Sequence, residues 1–252
     1  MKKLLELRYV IVSILILLIV WQIAFVFSDY SAALFPSPLM ALQALGEMLV
    51  SGQLLTSLGT SMYRFVIGYV LSVLCAVMLG LLLGCIPPLY RYVNPLLQVL
   101  RPVSPTAWMP FVVLLFGIGD VPAIVIIFIA AFFPVLLSTA SAVFRMDPLY
   151  FRVAESFGIK YPALLWKIIL PAIFPSIANA IHVSLGSAWI FLVAGEMVGA
   201  QSGLGYQIID ARNNVRADYL LATILVIGLI GLLLDYLIGR LEKAILRAWG
   251  GA

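Results

Sequence analysis

The sequence predicts an all-α integral membrane fold of six transmembrane helices, with a short extra helix on one side between the fourth and fifth. Three observations carry this. Of 252 residues, 64% are hydrophobic and only 10% charged, with a mean hydropathy of +1.15, which is too little polar surface to coat a soluble globule of this size. The charged residues bound long uncharged intervals near the ~20 residues that cross a bilayer, and a charge at mid-bilayer costs about 2.5–3.5 kcal/mol on insertion scales. The basic residues also fall mainly in alternate connections.

Read from charge to charge, the predicted spans are 9–28, 65–88, 95–117, 121–144, 168–195 and 219–239, within one membrane domain covering 1–252. The first is longer than the roughly 7–15 residues of a signal-peptide core and lacks a following A-x-A site, so it is expected to stay as an anchor. Ser37-Pro38 is an N-cap followed by a first-position proline. Leu39, Leu42, Leu45 and Leu49 then recur at helical spacing, predicting a short interfacial helix. The third span contains Pro102, Pro105 and Pro110 and cannot be one straight helix, because each interior proline removes a hydrogen bond and clashes one turn back. Such a break either lines a substrate route or is a simple kink. Ser202-Gly203-Leu204-Gly205 reads as a turn into another short helix.

Orientation follows from the basic residues. Lys2, Lys3, Arg8, Arg91, Arg145, Arg152, Lys160, Lys167, Arg240, Lys243 and Arg247 share one side if there are six spans, whereas the opposite loops hold Arg64, Arg212 and Arg216. Both termini and the 145–167 loop, with its coupling segment 147–167, are therefore expected in the cytoplasm.

Within that loop Asp147-Pro148 is again an N-cap and first-position proline, starting a helix expected to run to Phe157, with Gly158 as its stop. Leu149, Val153 and Ser156 fall on one face, and Arg152 and Glu155 stand three apart as a potential pair. Tyr161-Pro162 is expected to start a second helix that Pro171 ends or kinks.

Other chemistry is sparse. Cys75 and Cys85 are ten residues apart on one predicted helix, about 15 Å at 1.5 Å per residue, too far to pair. His182 has no Cys or carboxylate at ligand spacing and reads as a helix-packing histidine, with no metal site expected. Asp235 is expected to pair with Arg240 or an adjacent helix. A phosphate-cradling G-x-x-x-x-G-K-[ST] is absent, so ATP is not hydrolysed here by that route. No nucleophile–base or metal constellation marks an intramembrane enzyme. The net charge of +4 is accounted for by flanking charges and does not imply nucleic acid. The rival function, an ATP-independent secondary transporter or channel, would predict inverted repeats or several intramembrane acids, and the sequence offers only Asp235.

Gly158, Ile168, Leu170 and Pro171 have the spacing of the E-A-A-x-x-x-G-x9-I-x-L-P loop. Together with Phe35-Pro36-Ser37-Pro38, Phe116-Gly117-Ile118-Gly119, Gly195-Glu196-Met197 and Ser202-Gly203-Leu204-Gly205-Tyr206, it makes the chain resemble inner-membrane permeases of ATP-binding-cassette importers. The resemblance is to the nitrate, sulfonate and taurine group. It implies that the loop is a coupling helix for an ATPase subunit, carried by Leu149, Arg152, Val153, Ala154, Glu155, Ser156, Gly158, Leu170 and Pro171. It further implies a second permease copy, an extracytoplasmic binding protein, ATP and Mg held on the ATPase, and no cofactor on this chain. Arg152 stands where the pattern has Glu, so either Glu155 makes the acidic contact or Arg152 meets an altered ATPase. Arg101, Pro105 and Pro110 are the candidate residues of a translocation path.

Overall fold

The computed structural model describes residues 2–29, 31–160 and 162–248, and excludes the side chains of 2–7, 10, 246 and 248. The orienting side chains of Lys2 and Lys3, and Tyr161 as a helix start, lie outside that description.

Among the described residues every regular element is helical. The order is α1 (Lys2–Phe27), α2 (Pro38–Val50), α3 (Gln53–Cys85), α4 (Pro87–Leu100), a 3-10 turn (Pro105–Trp108) into α5 (Met109–Phe116), α6 (Asp120–Phe144), α7 (Pro148–Ser156), a π turn (Leu165–Ile169) into α8 (Leu170–Gly199), α9 (Leu204–Asn213) and α10 (Ala217–Ala248). Among the described residues four helices are long and apolar enough to cross a membrane: α3, α6, α8 with its preceding turn, and α10. A fifth is added if α4 and the 105–116 segment count as one span bent by 84°. The apolar part of α1, Ile11–Phe27, is shorter.

α6 is the centre of the bundle, packed against α3 on one side and α8 on the other, and α10 closes against α8, α9 and α2. Close approach of α3 to α6 rests on Gly80 and Gly84, where an added Cβ would lie 2.7 Å from Thr139 and 2.6 Å from Val143. Small residues at helix contacts and large apolar ones outside is how bundles pack in lipid, where burying leucine gains nothing over leaving it in hydrocarbon. α2 follows the same rule. Ser37 caps it by accepting from the Met40 amide at 3.3 Å, but the buried face is Ala41, Ala44 and Met48, while Leu39, Leu42 and Leu49 of the predicted stripe point outward. α1 touches mainly α2, with Trp21 donating to the Pro36 carbonyl at 3.0 Å, and its residues 11–20 are all exposed.

Two helices run beyond the predicted spans, and the third span is broken as its prolines predict. α3 begins at Gln53 rather than at residue 65, so Arg64 lies inside a helix and not in a loop. Residues 95–117 are two helices and a bend, as the prolines require. α8 runs to Gly199 and takes Glu196 into the helix. Pro171 neither ends nor breaks its helix: the π turn over Leu165–Ile169 widens the backbone just where the proline lacks its N–H, and the helix continues.

Candidate functional sites

Two constellations stand out, one at each end of the bundle. At the end where α6 gives way to α8, Asp147 Oδ1 accepts from the Leu149 amide at 2.8 Å, with Pro148 in the first turn, and α7 forms from these local signals alone. It stops in a Schellman turn: the Gly158 amide donates to the Glu155 carbonyl and the Ile159 amide to the Ala154 carbonyl, both at 2.9 Å. Gly158 has φ +66°, a left-handed conformation costly to any residue with a Cβ.

α7 has two faces. Ala154 is 1% exposed and packs with Val143, Leu164, Ile169 and Ile173, with Phe151 and Ile159 beside it. Leu149, Arg152, Val153, Glu155 and Ser156 face outward. Leu149, Tyr150 and Val153 line a groove of about 600 Å³ with Lys167, Ile168 and Pro171 of the following helix. Leu170 is half-buried beneath it. The structure thus brings Leu149, Val153 and Pro171 onto one groove, leaves Arg152, Glu155, Ser156 and Gly158 exposed outside its lining, and buries Ala154 as the anchor. The potential Arg152–Glu155 pair does not form: among the described residues no ion pair joins them, and Ser156 Oγ instead bonds the Arg152 carbonyl at 2.9 Å.

At the opposite end the structure builds a site that the sequence reading missed. Arg64, 1% exposed, bonds Asp120 Oδ1 through Nε and Nη2 at 2.7 and 2.6 Å. Its Nη1 reaches Glu196 Oε1 at 2.8 Å and the Ser202 carbonyl at 2.7 Å, and its Nη2 reaches Ser202 Oγ at 2.7 Å. Glu196, fully buried, also accepts from Ser61 Oγ and from the Gly205 amide at 2.9 Å. Ser61 Oγ in turn accepts from the Leu204 amide at 2.9 Å. The unsatisfied amides at the start of α9 are therefore capped by side chains of α3 and α8, and the Glu196 carboxylate sits at that helix's positive end. Gly203 is required by contact: a Cβ there would lie 2.3 Å from Glu196 Oε1, and φ is +101°. The cluster is a clamp joining α3, α6, α8 and α9.

His182 is corrected as well. Its two ring nitrogens lie 2.9 Å from Glu242 and 3.0 Å from Asp235, both on α10, so its carboxylate neighbours come from another helix rather than from nearby sequence. Asp235 accordingly pairs with the adjacent helix, while Arg240 bonds Tyr236 Oη at 2.6 Å. Among the described residues no group of three or more ligating side chains could hold a metal.

Arg101 and Pro105 line a cleft of about 720 Å³ between α4, α6 and α8; Pro110, exposed on α5, is not among its lining residues.

Residues 76–247 match a family model described as "Binding-protein-dependent transport system inner membrane component". The chain is 34% identical to the putative aliphatic sulfonates transport permease protein SsuC of Bacillus subtilis, over 92% of this chain and 84% of that one. It is 30% identical to the taurine transport system permease protein TauC of Escherichia coli, over 95% and 88%, and 31% identical to the nitrate import permease protein NrtB of Leptolyngbya laminosa, over 75% and 67%. The fold is similar to a chain of the MetNI methionine ABC transporter in an inward-facing conformation, with TM-score 0.58, 20% identity, and coverage of 84% of this chain and 96% of that one. With a family match over most of its length and relatives of that kind, the chain belongs to the binding-protein-dependent permeases, the multi-pass membrane subunits of ATP-binding-cassette transporters, and is a transport component rather than an enzyme.

Proposed function

We propose that this permease is one half of an importer channel: two copies, each crossing the bacterial inner membrane six times, joined to two ATPase subunits and fed by an extracytoplasmic binding protein. The six spans are α1, α3, the bent 95–117 segment, α6, α8 and α10, and both termini and α7 are cytoplasmic. α1 supports this count, since the outward apolar side chains of 11–20 need a hydrocarbon environment. ATP and Mg reside on the ATPase, and this chain holds no cofactor. The substrate is a small oxyanion-bearing solute of the sulfonate, taurine or nitrate kind, the class named for its relatives.

One observation carries the mechanism: α7 is fastened to its own bundle through Ala154 while its outward face presents Leu149 and Val153 beside an apolar groove. Such a helix can seat in an ATPase groove and transmit its motion. Arg152, Glu155 and Ser156 supply the polar contacts around that seat. Gly158, Leu170 and Pro171 carry the displacement into α8 without slack. ATP binding draws the two α7 helices together and turns the channel outward; hydrolysis lets it return. Arg101, Pro105 and Pro110 border the path.

In proteoliposomes containing the ATPase and binding protein, Gly158→Pro is expected to lose uptake and binding-protein-stimulated ATP hydrolysis together while remaining inserted. Wild-type rates in that variant would remove the coupling role. Orientation is read separately: an impermeant thiol reagent on intact cells, in a background lacking Cys75 and Cys85, should label Gln201→Cys and spare Lys160→Cys. The reverse pattern overturns the topology.

A further inference from the structure

The cleft beside α6 is lined by two arginines and no carboxylate. On α6 its lining runs along one face, Ile129, Phe133, Leu137, Ser141 and Arg145, at intervals of four. Those 16 residues of rise carry the cleft about 24 Å along the helix. Its apolar part is Ile129, Phe133 and Leu137. Its polar part gathers Arg101, Arg145, Gln98, Ser138, Ser141 and Ser187, with no Asp or Glu in the lining. Three described arginines are engaged elsewhere, Arg64 by two carboxylates, Arg216 by Asp218 and Glu47, and Arg240 by Tyr236, while Arg91 and Arg152 also lack ion pairs but do not line the cleft. Among the described residues neither Arg101 nor Arg145 has an ion pair. Both stand just past helix C-termini, of α4 and α6 respectively. A helix C-terminus favours a cation, and among the described residues neither guanidinium donates a hydrogen bond to the protein.

Arg101 and Arg145 are exposed at the helix ends that border the cleft, where a guanidinium is satisfied by water or by an anion. We propose that Arg101 and Arg145 form an oxyanion site within this permease, which receives the sulfonate or comparable acid group of an organic solute while Ile129, Phe133 and Leu137 cover its hydrocarbon part. This deepens the importer reading and rests on it. Guanidinium forks match oxyanions through paired N–H donors, and the serine hydroxyls supply further donors. A bare inorganic anion would leave the apolar half of the cleft unused, so the geometry points to a solute with an acid head and a short apolar body. The membrane chain thereby adds its own selectivity to that of a binding protein.

The test uses the full chain, purified with whatever subunits accompany it, in phosphatidylcholine nanodiscs, with Cys75 and Cys85 replaced by Ala and Ser138→Cys as reporter. A thiol reagent bearing a sulfonate should modify the reporter about tenfold faster than one bearing a quaternary ammonium, the scale at which a charged cleft concentrates counter-ions. Ethanesulfonate should slow that reaction and ethanol should not. Arg101→Gln and Arg145→Gln should each shrink the preference, and the Lys variants should retain it. Equal rates for the two reagents, or a preference unmoved by either Gln change, overturns the proposal, and the reporter alone gives the first of these readings even if an arginine variant fails to assemble. Protection by added phosphatidylglycerol with none by ethanesulfonate also overturns it, identifying a lipid headgroup as the occupant. The importer reading fails separately, if no ATPase subunit accompanies the chain.

Discussion

The α7 surface and the Arg64 cluster are built by opposite means. α7 is assembled from neighbours in sequence: its cap, its first-turn proline and its closing glycine lie within 147–158, and its outward side chains make few contacts with the rest of the chain. The Arg64 cluster draws Ser61 and Arg64 from α3, Asp120 from α6, Glu196 from α8, and Ser202 to Gly205 from the connection into α9. One region leaves its outward face uncovered by the rest of the chain; the other satisfies Arg64 and Glu196 internally, with Asp120 half exposed at its edge. The difference teaches that charge in a membrane protein has two readings, and that burial separates them.

The contrast can be broken most sharply at Arg64. Arg64→Ala leaves Glu196 buried without its counter-ion, and loss of one partner of a buried pair costs about 3–5 kcal/mol. A large drop in thermal midpoint of the detergent-purified protein is expected. Adding Glu196→Gln should restore part of it, because Gln keeps an acceptor for Ser61 and the Gly205 amide without the stranded charge. If the double variant were less stable than the single, the clamp would owe its strength to something other than the charge pair.

A smaller effect is expected where α7 meets the bundle. Ala154 is 1% exposed against Ile169 and Ile173, so Ala154→Leu overpacks the contact at a cost of about 1–3 kcal/mol. The accompanying readout is protease sensitivity of the 147–167 loop, which should rise. Resistance equal to wild type would mean that α7 is held elsewhere. Next in size is Asp147→Ala, which removes the cap of a nine-residue helix and should cost about 1 kcal/mol of local stability, read as faster amide exchange in the first turn of α7 with the Arg64 end unchanged.

The smallest effect on stability should fall on the outward face. Leu149→Ala with Val153→Ala removes exposed side chains, and changes of that kind usually stay within about 0.5 kcal/mol. The same variant should nonetheless lose binding-protein-stimulated ATP hydrolysis. A variant that kept stimulated hydrolysis, or one that unfolded, would falsify the division of α7 into an anchoring face and a docking face.

What the sequence determined by itself was everything set by local chemistry and by solvent preference. Long uncharged runs indicated the helical membrane fold, Asp147-Pro148 and Gly158 bounded α7 correctly, Ser37-Pro38 located α2, and the prolines of 102–110 announced a break that appears as an 84° bend. Only the tertiary structure decided how distant charges combine. Arg64 reads as a loop residue because a charge in an apolar helix is costly alone, and the carboxylates that remove that cost lie 56 and 132 residues away. His182 reads as a packing residue because its two carboxylates are 53 and 60 residues along the chain. The leucines of α2 read as the apolar side of an interfacial helix, and periodicity alone does not say that Ala41, Ala44 and Met48 are the residues that take the helix contact. Local signals are short-ranged, and pairing energies between helices exist only once the bundle has brought the partners together.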